Sequence, residues 1–216
     1  MSAGSGARPS TGPVWALVLA AGGSQRLGRP KQLLTWRGET LVRRAARAAL
    51  GSGCDGVAVV LGAEEDAVRE ALAGLPVRVA RNPGWEEGLA SSIRAGVALA
   101  RAEGAWAVLL TLADQPLVGA ELLGRLVAAH RRGHSRVACR YAGGLGVPAL
   151  LGGPGDLAAL GQLRGDRGAR ALLRDATPPP LAIPFEDAAL DIDDDASWEA
   201  ARAELRRRAA RDPGRE

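Results

Sequence analysis

The chain has 216 residues, 47% of them hydrophobic and 3% aromatic, with 28 basic residues against 24 acidic ones for a net charge of +4. That length fits one domain with a sizeable core, which must be built from Ala, Val and Leu, and the hydrophobic share excludes a disordered chain. The mixed charge excludes a basic nucleic-acid footprint, and Cys54 and Cys139 lack metal-ligand spacing and read as reduced residues of a cytosolic protein.

Residues 1–13 are rich in Ser, Gly and Pro and read as a flexible leader. From there, short apolar runs alternate with helical patterns. Val14 to Ala20 is a strand buried on both faces, Thr40 to Leu50 a helix, Gly56 to Leu61 a strand, and Glu65 to Ala73 a helix. Val77 to Ala80 is a short strand, Gly88 to Arg101 a helix, Ala105 to Thr111 a strand, Val118 to Arg132 a helix, and Arg136 to Arg140 a strand. Two small helices follow near Asp156 and Ala169, then a strand pair between Leu181 and Ile192, and a last helix from Ala196 to Arg208. Arg206, Arg207 and Arg208 fall at the end of that helix, where positive charge suits the helix dipole. Residues 14–208 thus read as one domain and 209–216 as a flexible tail.

Such alternation implies an α/β fold, a mostly parallel sheet with helices on both faces. Sheets of this kind bind ligands beyond the C-terminal ends of their strands. The apolar run from Val14 to Ala21 is too short to span a membrane. A cytoplasmic protein with no membrane partner is expected.

The loop after the first strand concentrates the chemistry. Gly22 and Gly23 let the backbone approach a ligand and aim amide N–H groups at it. Ser24 adds a hydroxyl, Arg26 and Lys31 add positive charge, and Gly28-Arg29-Pro30 punctuates the loop. Lys31 is also the chain's one lysine, every other side-chain cation apart from the histidines being arginine. A compact ammonium at this place serves where a planar guanidinium would not. These parts describe a polyphosphate cradle. It is not a P-loop, because Arg29 and Pro30 follow Gly28 where Lys and Ser/Thr are required, and the Gly-x-Gly-x-x-Gly fingerprint is absent.

The stretch Leu19-Ala20-Ala21-Gly22-Gly23-Ser24-Gln25-Arg26-Leu27-Gly28-Arg29-Pro30-Lys31 resembles the signature of the MobA-like nucleotidyltransferases, Leu-Ala-Ala-Gly-x-Ser-x-Arg-x-Gly-x-x-Lys, at every fixed position. It is most similar to the molybdenum cofactor cytidylyltransferase branch. Asn82 to Ser92, Leu112-Ala113-Asp114-Gln115-Pro116, Gly165 to Arg170 and Asp191-Ile192-Asp193 resemble later motifs of that branch, so the likeness spans nearly the whole folded chain. It implies a three-layer, Rossmann-like nucleotidyltransferase architecture of the glycosyltransferase-A-like kind.

Phosphoryl transfer needs in-line positioning and neutralisation of phosphate charge, commonly by a divalent ion on a few carboxylates. Asp114 ends the apolar strand before Pro116 and reads either as a turn residue or as a ligand. The resemblance implies a Mg²⁺ ligand there and at Asp193, with Asp194 or Asp195 capping the last helix. It also implies nucleotide contacts from Ala20, Ala21, Gly22, Gly23, Ser24, Arg26, Lys31, Gly88, Ser91 and Ser92. Trp85 either packs over the site or belongs to the core. Gly143 to Pro148 is expected to line the acceptor side, where Val147 stands in place of a His usual in relatives. His130 and His134 read as surface or structural residues.

The expected reaction transfers CMP from CTP to the terminal phosphate of molybdenum cofactor and releases pyrophosphate. Catalysis would rest on Arg26, Lys31 and Asp114. A phosphate nucleophile is already ionised, so no general base is required. CTP is preferred because of Ala21, where guanylyl relatives more often carry Gly. Two other readings stay open: transfer to a sugar phosphate or other small acceptor, and a non-catalytic carrier of nucleotide or cofactor. A molybdoenzyme or chaperone would be the partner that receives the product.

Overall fold

A computed structural model describes residues 12–24 and 26–211. Most of the expected leader (residues 1–11), Gln25 of the loop motif and the last five residues of the expected tail lie outside the described residues.

The strands are β1 (Val14–Leu19), β2 (Thr35–Trp36), β3 (Glu39–Thr40), β4 (Gly56–Leu61), β5 (Arg78–Arg81), β6 (Ala107–Leu112), β7 (Arg136–Tyr141), β8 (Gly144–Gly152) and β9 (Leu181–Pro184). The α-helices are α1 (Leu41–Leu50), α2 (Glu65–Ala71), α3 (Leu89–Ala102), α4 (Ala120–Arg131), α5 (Pro154–Leu160), α6 (Arg170–Arg174) and α7 (Asp195–Arg211). Seven strands form one sheet in the order β5-β4-β1-β6-β8-β7-β9, and β2 pairs with β3 apart from it. The pairs β5/β4, β4/β1, β1/β6 and β7/β9 are parallel, while β8 runs antiparallel to both β6 and β7. No helix among the described residues is long and apolar enough to cross a membrane.

Strand β1 is central and buried throughout. Its side chains alternate between two cores, as strand geometry requires. Val14, Ala16 and Val18 join the core under α1, α2 and α4. Trp15, Leu17 and Leu19 join the core under α3 and α5. From β1 the chain builds β4 on one side and later β6 on the other, so the strand order reverses at β1, where such sheets open a ligand crevice. Gly96 lets α3 lie tight on the sheet, since a Cβ there would stand 3.0 Å from Val60 and 3.1 Å from Leu17.

A third, smaller core joins Leu27, Leu34 and Trp36 to Ile192, Trp198 and Leu205 of the C-terminal segment. It anchors α7 against the segment after β1. That packing brings Asp193 to the first loop.

One expectation is corrected and one segment takes a form that the sequence reading left unassigned. Gly143 to Pro148 is part of a hairpin: β7 turns through Ala142 and Gly143, at φ 46° and 74°, straight into β8. Both central residues of this hairpin take positive φ, the type I′ arrangement that fits strand twist. The expected strand pair between Leu181 and Ile192 does not form. Strand β9 pairs with β7 instead, a single 3-10 turn follows at Glu186–Ala189, and Ile192 donates its N–H to the Asp114 carbonyl. The last helix reaches Arg211, three residues beyond the expected end.

Candidate functional site

The loop after β1 is held open from beneath by Gln32. Its buried side-chain amide donates to the carbonyls of Ala20 (2.9 Å) and Gly22 (2.5 Å), and its Oε1 accepts from the Ser24 hydroxyl (3.3 Å). Ser24 Oγ in turn accepts the Lys31 N–H at 3.0 Å. Ser24 itself takes φ 53°, so the loop doubles back on these bonds. With its carbonyls occupied underneath, the segment Ala20–Gly23 lines a cavity of about 480 Å³. Lys31, Trp85, Gly88, Ser92, Ala113 and Asp114 line it too.

Trp85 walls that cavity and pins the loop. A Cβ on Gly23 would fall 2.8 Å from its ring, and one on Gly62 would fall 2.7 Å from its Cβ. Gly88, at φ 104°, starts α3 against the loop 165–168, and the Gly165 carbonyl accepts the Ala90 N–H at 3.0 Å.

Three charged residues from distant parts of the chain meet at this cavity. Lys31 Nζ lies 2.5 Å from Asp114 Oδ2 and 3.1 Å from Asp193 Oδ1. The Lys31 and Asp114 side chains are 18% and 16% exposed, whereas Asp193 is half open to solvent. Burial pulls the Lys31 ammonium down, but the charges and hydrogen bonds of Asp114 and Asp193 outweigh it and leave its pKa raised. Burial also pushes the Asp114 carboxyl up, opposed by Lys31 and aided by Asp191. These two directions compete; the second carboxylate beside the ammonium decides for a charged Lys31. Arg26 is far more exposed and reaches Asp193 at 3.8 Å, while Arg29 pairs with Asp195 at 2.6 Å.

Asp114 Oδ1 is buried and has no hydrogen-bond partner among the described residues. An orphaned carboxylate oxygen beside a second carboxylate suits a hard divalent cation. No group of three or more His, Cys, Asp or Glu able to hold a metal occurs among the described residues. The pair Asp114 and Asp193 could supply two oxygen ligands to a divalent ion, the rest coming from phosphate and water.

The other expected residues divide. Asp194 caps α7, accepting the Ser197 N–H at 2.8 Å, a bond that holds its carboxyl below the usual range. Ser91 faces away from the cavity: it donates to the Gly88 carbonyl (2.7 Å) and accepts from the buried Asn82 amide (2.8 Å). Asn82 also donates to Ser92 at 3.0 Å. His130 is buried, with Nδ1 2.9 Å from the His134 carbonyl, far from the loops in the chain and without a place in either cavity.

Sequence reasoning missed Gln32, because a glutamine in a polar loop carries no mark of burial. It also missed a second cavity of about 460 Å³ that adjoins the first through Leu19, Leu89 and Leu112. Val147 lines it, together with Gln115, Tyr141, Arg170 and Asp191.

Comparison with known proteins identifies the family. The MobA-like NTP transferase domain matches residues 16–180. The chain is 39% identical over 170 residues to nicotine blue oxidoreductase of Paenarthrobacter nicotinovorans, covering 74% of this chain and 81% of that one. It is 32% identical over 178 residues to a probable molybdenum cofactor guanylyltransferase of Opitutus terrae, covering 79% and 84%. Among solved structures, Rv0371c of Mycobacterium tuberculosis H37Rv superposes with TM-score 0.77 at 33% identity, over 88% of this chain and 97% of that one. The same protein in complex with manganese gives TM-score 0.72 at 29% identity, over 89% and 99%. The chain belongs to the MobA-like NTP transferase family.

Proposed function

We propose that this protein is a Mg²⁺-dependent cytidylyltransferase that joins CMP from CTP to the terminal phosphate of molybdenum cofactor. The observation that carries the reading is the meeting of Lys31, Asp114 and Asp193 at the mouth of a cavity built on the glycine loop. The amides of Gly22 and Gly23 face the triphosphate, and Arg26 takes the β- and γ-phosphates and stabilises the departing pyrophosphate. Lys31 lies at the α-phosphate and offsets the charge that builds there. Ala20, Ala21, Gly88 and Ser92 bound the nucleoside, with Ser91 and Ser24 holding the backbone on either side. Asp114 and Asp193 would hold Mg²⁺, which would supply positive charge to neutralise the phosphates.

The acceptor phosphate attacks the α-phosphorus in line. The new P–O bond forms as the bond to the β-phosphate oxygen breaks, and pyrophosphate leaves with that electron pair. No proton changes hands, in keeping with a site that offers no histidine. The guanylyltransferase relative supports the class of acceptor, and Ala21 supports cytosine over guanine.

A second reading is favoured by the identity to nicotine blue oxidoreductase: the same cavity would hold a nucleotide cofactor for a redox step. The carboxylate pair around Lys31 favours group transfer. Incubating the protein with Mg²⁺, [α-³²P]CTP and molybdenum cofactor separates the two. Transfer of label to the cofactor is expected. Unlabelled cofactor, alongside oxidation of a reduced nicotinamide nucleotide, would overturn the transfer reading.

A further inference from the structure

The backbone, and not the ammonium between them, brings the carboxylates of Asp114 and Asp193 together. Ile192 donates its N–H to the Asp114 carbonyl at 3.1 Å, and Ser197 Oγ, in the first turn of α7, accepts the Asp193 N–H at 3.0 Å. The Ile192 side chain is fully buried in the third core, so this segment stays beside the end of β6 whatever stands between the two side chains. Two carboxylates held close repel each other and attract a cation. Lys31 Nζ answers both, at 2.5 Å from Asp114 and 3.1 Å from Asp193. Because it belongs to the same chain, it acts at a high effective concentration against any cation from solution.

Lys31 is fixed at its backbone and free along its stem. Its N–H donates to Ser24 Oγ at 3.0 Å, and its carbonyl accepts the Leu34 N–H at 3.2 Å. The four-carbon stem turns about that pivot. It lines the first cavity, whose wall at Gly22 is open: a Cβ there would meet nothing within 4 Å among the described residues. The ammonium therefore has two places within reach, the carboxylate pair and the space over the glycine loop. Arg26 has the same choice more loosely, at 3.8 Å from Asp193 and well exposed.

An ammonium and a divalent ion on the same carboxylates repel each other. We propose that Lys31 is a built-in counter-ion that keeps free divalent metal off Asp114 and Asp193 until a triphosphate draws the ammonium away, so that metal and nucleotide load together. The exchange is one of partners, with no covalent change: Lys31 passes from carboxylate to phosphate oxygens and leaves the carboxylates to the ion. It rests on the reading of this cavity as the site of metal and nucleotide, but it is tested by binding alone.

Mn²⁺ serves as the probe, its free fraction read by electron paramagnetic resonance on the full chain without nucleotide. Lys31→Met should bind one ion about tenfold more tightly than wild type, or better. Arg29→Met removes an equal charge from the neighbouring pair with Asp195 and should change the affinity by less than about threefold, which separates displacement from overall charge. The converse measurement is calorimetry of CTP. Asp193→Asn loosens the hold on Lys31, so it should bind CTP about threefold more tightly than wild type in EDTA, yet less tightly than wild type with Mg²⁺. A merely structural role would move both affinities the same way. Equal Mn²⁺ affinity in wild type and Lys31→Met would overturn the proposal and leave the metal site in place. Mn²⁺ bound by neither protein at about 10 mM, while CTP still binds, would overturn the proposal and the metal assignment together and leave the nucleotide site. If Lys31→Met fails to fold, Asp193→Asn decides: weaker CTP binding in EDTA than wild type would overturn the exchange.

Discussion

The ammonium of Lys31 touches Asp114 at 2.5 Å and reaches Asp193 at 3.1 Å, so the chain's one lysine joins a carboxylate at the end of β6 to one that precedes α7. The three groups come from segments that share no local sequence. A point charge on a flexible stem can sit between two carboxylates at these distances, whereas a guanidinium is wider and binds in a plane. Lys31→Arg should therefore fail to substitute: the rate of pyrophosphate release should fall about a hundredfold or more, with CTP affinity changed far less. Retention of more than a tenth of the wild-type rate would show that any cation serves at this position.

Gly88 sets the start of α3 at φ 104°, and a Cβ there would collide with Asp166 Oδ1 and stand 2.8 Å from the Gly165 backbone. Gly88→Ala should cost about 2 kcal/mol from the backbone conformation and the overlap. Thermal unfolding would read this as a Tm lower by roughly 4–8 °C for a domain of this size. The variant should also lose nucleotide affinity, because Gly88 and Ser92 both line the first cavity. An unchanged Tm would mean that the loop 165–168 gives way freely.

Arg136 grips Asp156 through three hydrogen bonds of 2.6 to 2.9 Å, and the Asp156 side chain is 7% exposed. Removing the cation leaves a buried charge without its partner. Arg136→Ala should destabilise the fold by about 3–5 kcal/mol in urea titration. The double variant Arg136→Met/Asp156→Leu should recover much of that loss. Equal instability of single and double variants would count against charge burial as the cause.

Burial raises the Cys54 thiol from 9.0 to about 11 and the Cys139 thiol to about 12. A raised folded-state value means the unfolded chain loses its thiol protons first. The stability that these two thiols contribute is complete below about pH 9 and is lost as pH climbs from there towards 11 and 12. At pH 8 only about one Cys54 in a thousand is thiolate, so alkylation by iodoacetamide should be slow for the native protein and fast in urea. Rapid alkylation of native Cys54 at pH 8 would contradict the assigned burial.

Much of the site can be read from sequence because its parts sit where apolar runs stop. Strands β1, β4 and β6 are continuous apolar segments, and the loop after β1 and Asp114 after β6 lie at their C-terminal ends. Strand β8 escapes such reading: its first half is glycine-rich because Gly146 must admit the Tyr141 ring, and glycines there mimic a loop. The pair Ala142-Gly143 between Tyr141 and Gly144 was the available hairpin signal. Tertiary contacts decide the rest. Ile192 bonds to the Asp114 carbonyl instead of entering a strand ladder, and Gln32 is buried because two carbonyls of the glycine loop need a donor.

Nucleotide-dependent release of pyrophosphate, measured with Mg²⁺ and each of CTP, GTP, ATP and UTP in the presence of molybdenum cofactor, tests the central claim most directly when wild type is run beside Asp114→Ala. The account predicts release that is fastest with CTP, depends on the cofactor, and falls by orders of magnitude in Asp114→Ala. Release that is equal in the two proteins, or absent with every nucleotide while molybdenum cofactor still binds, would contradict it and leave a carrier in place of an enzyme.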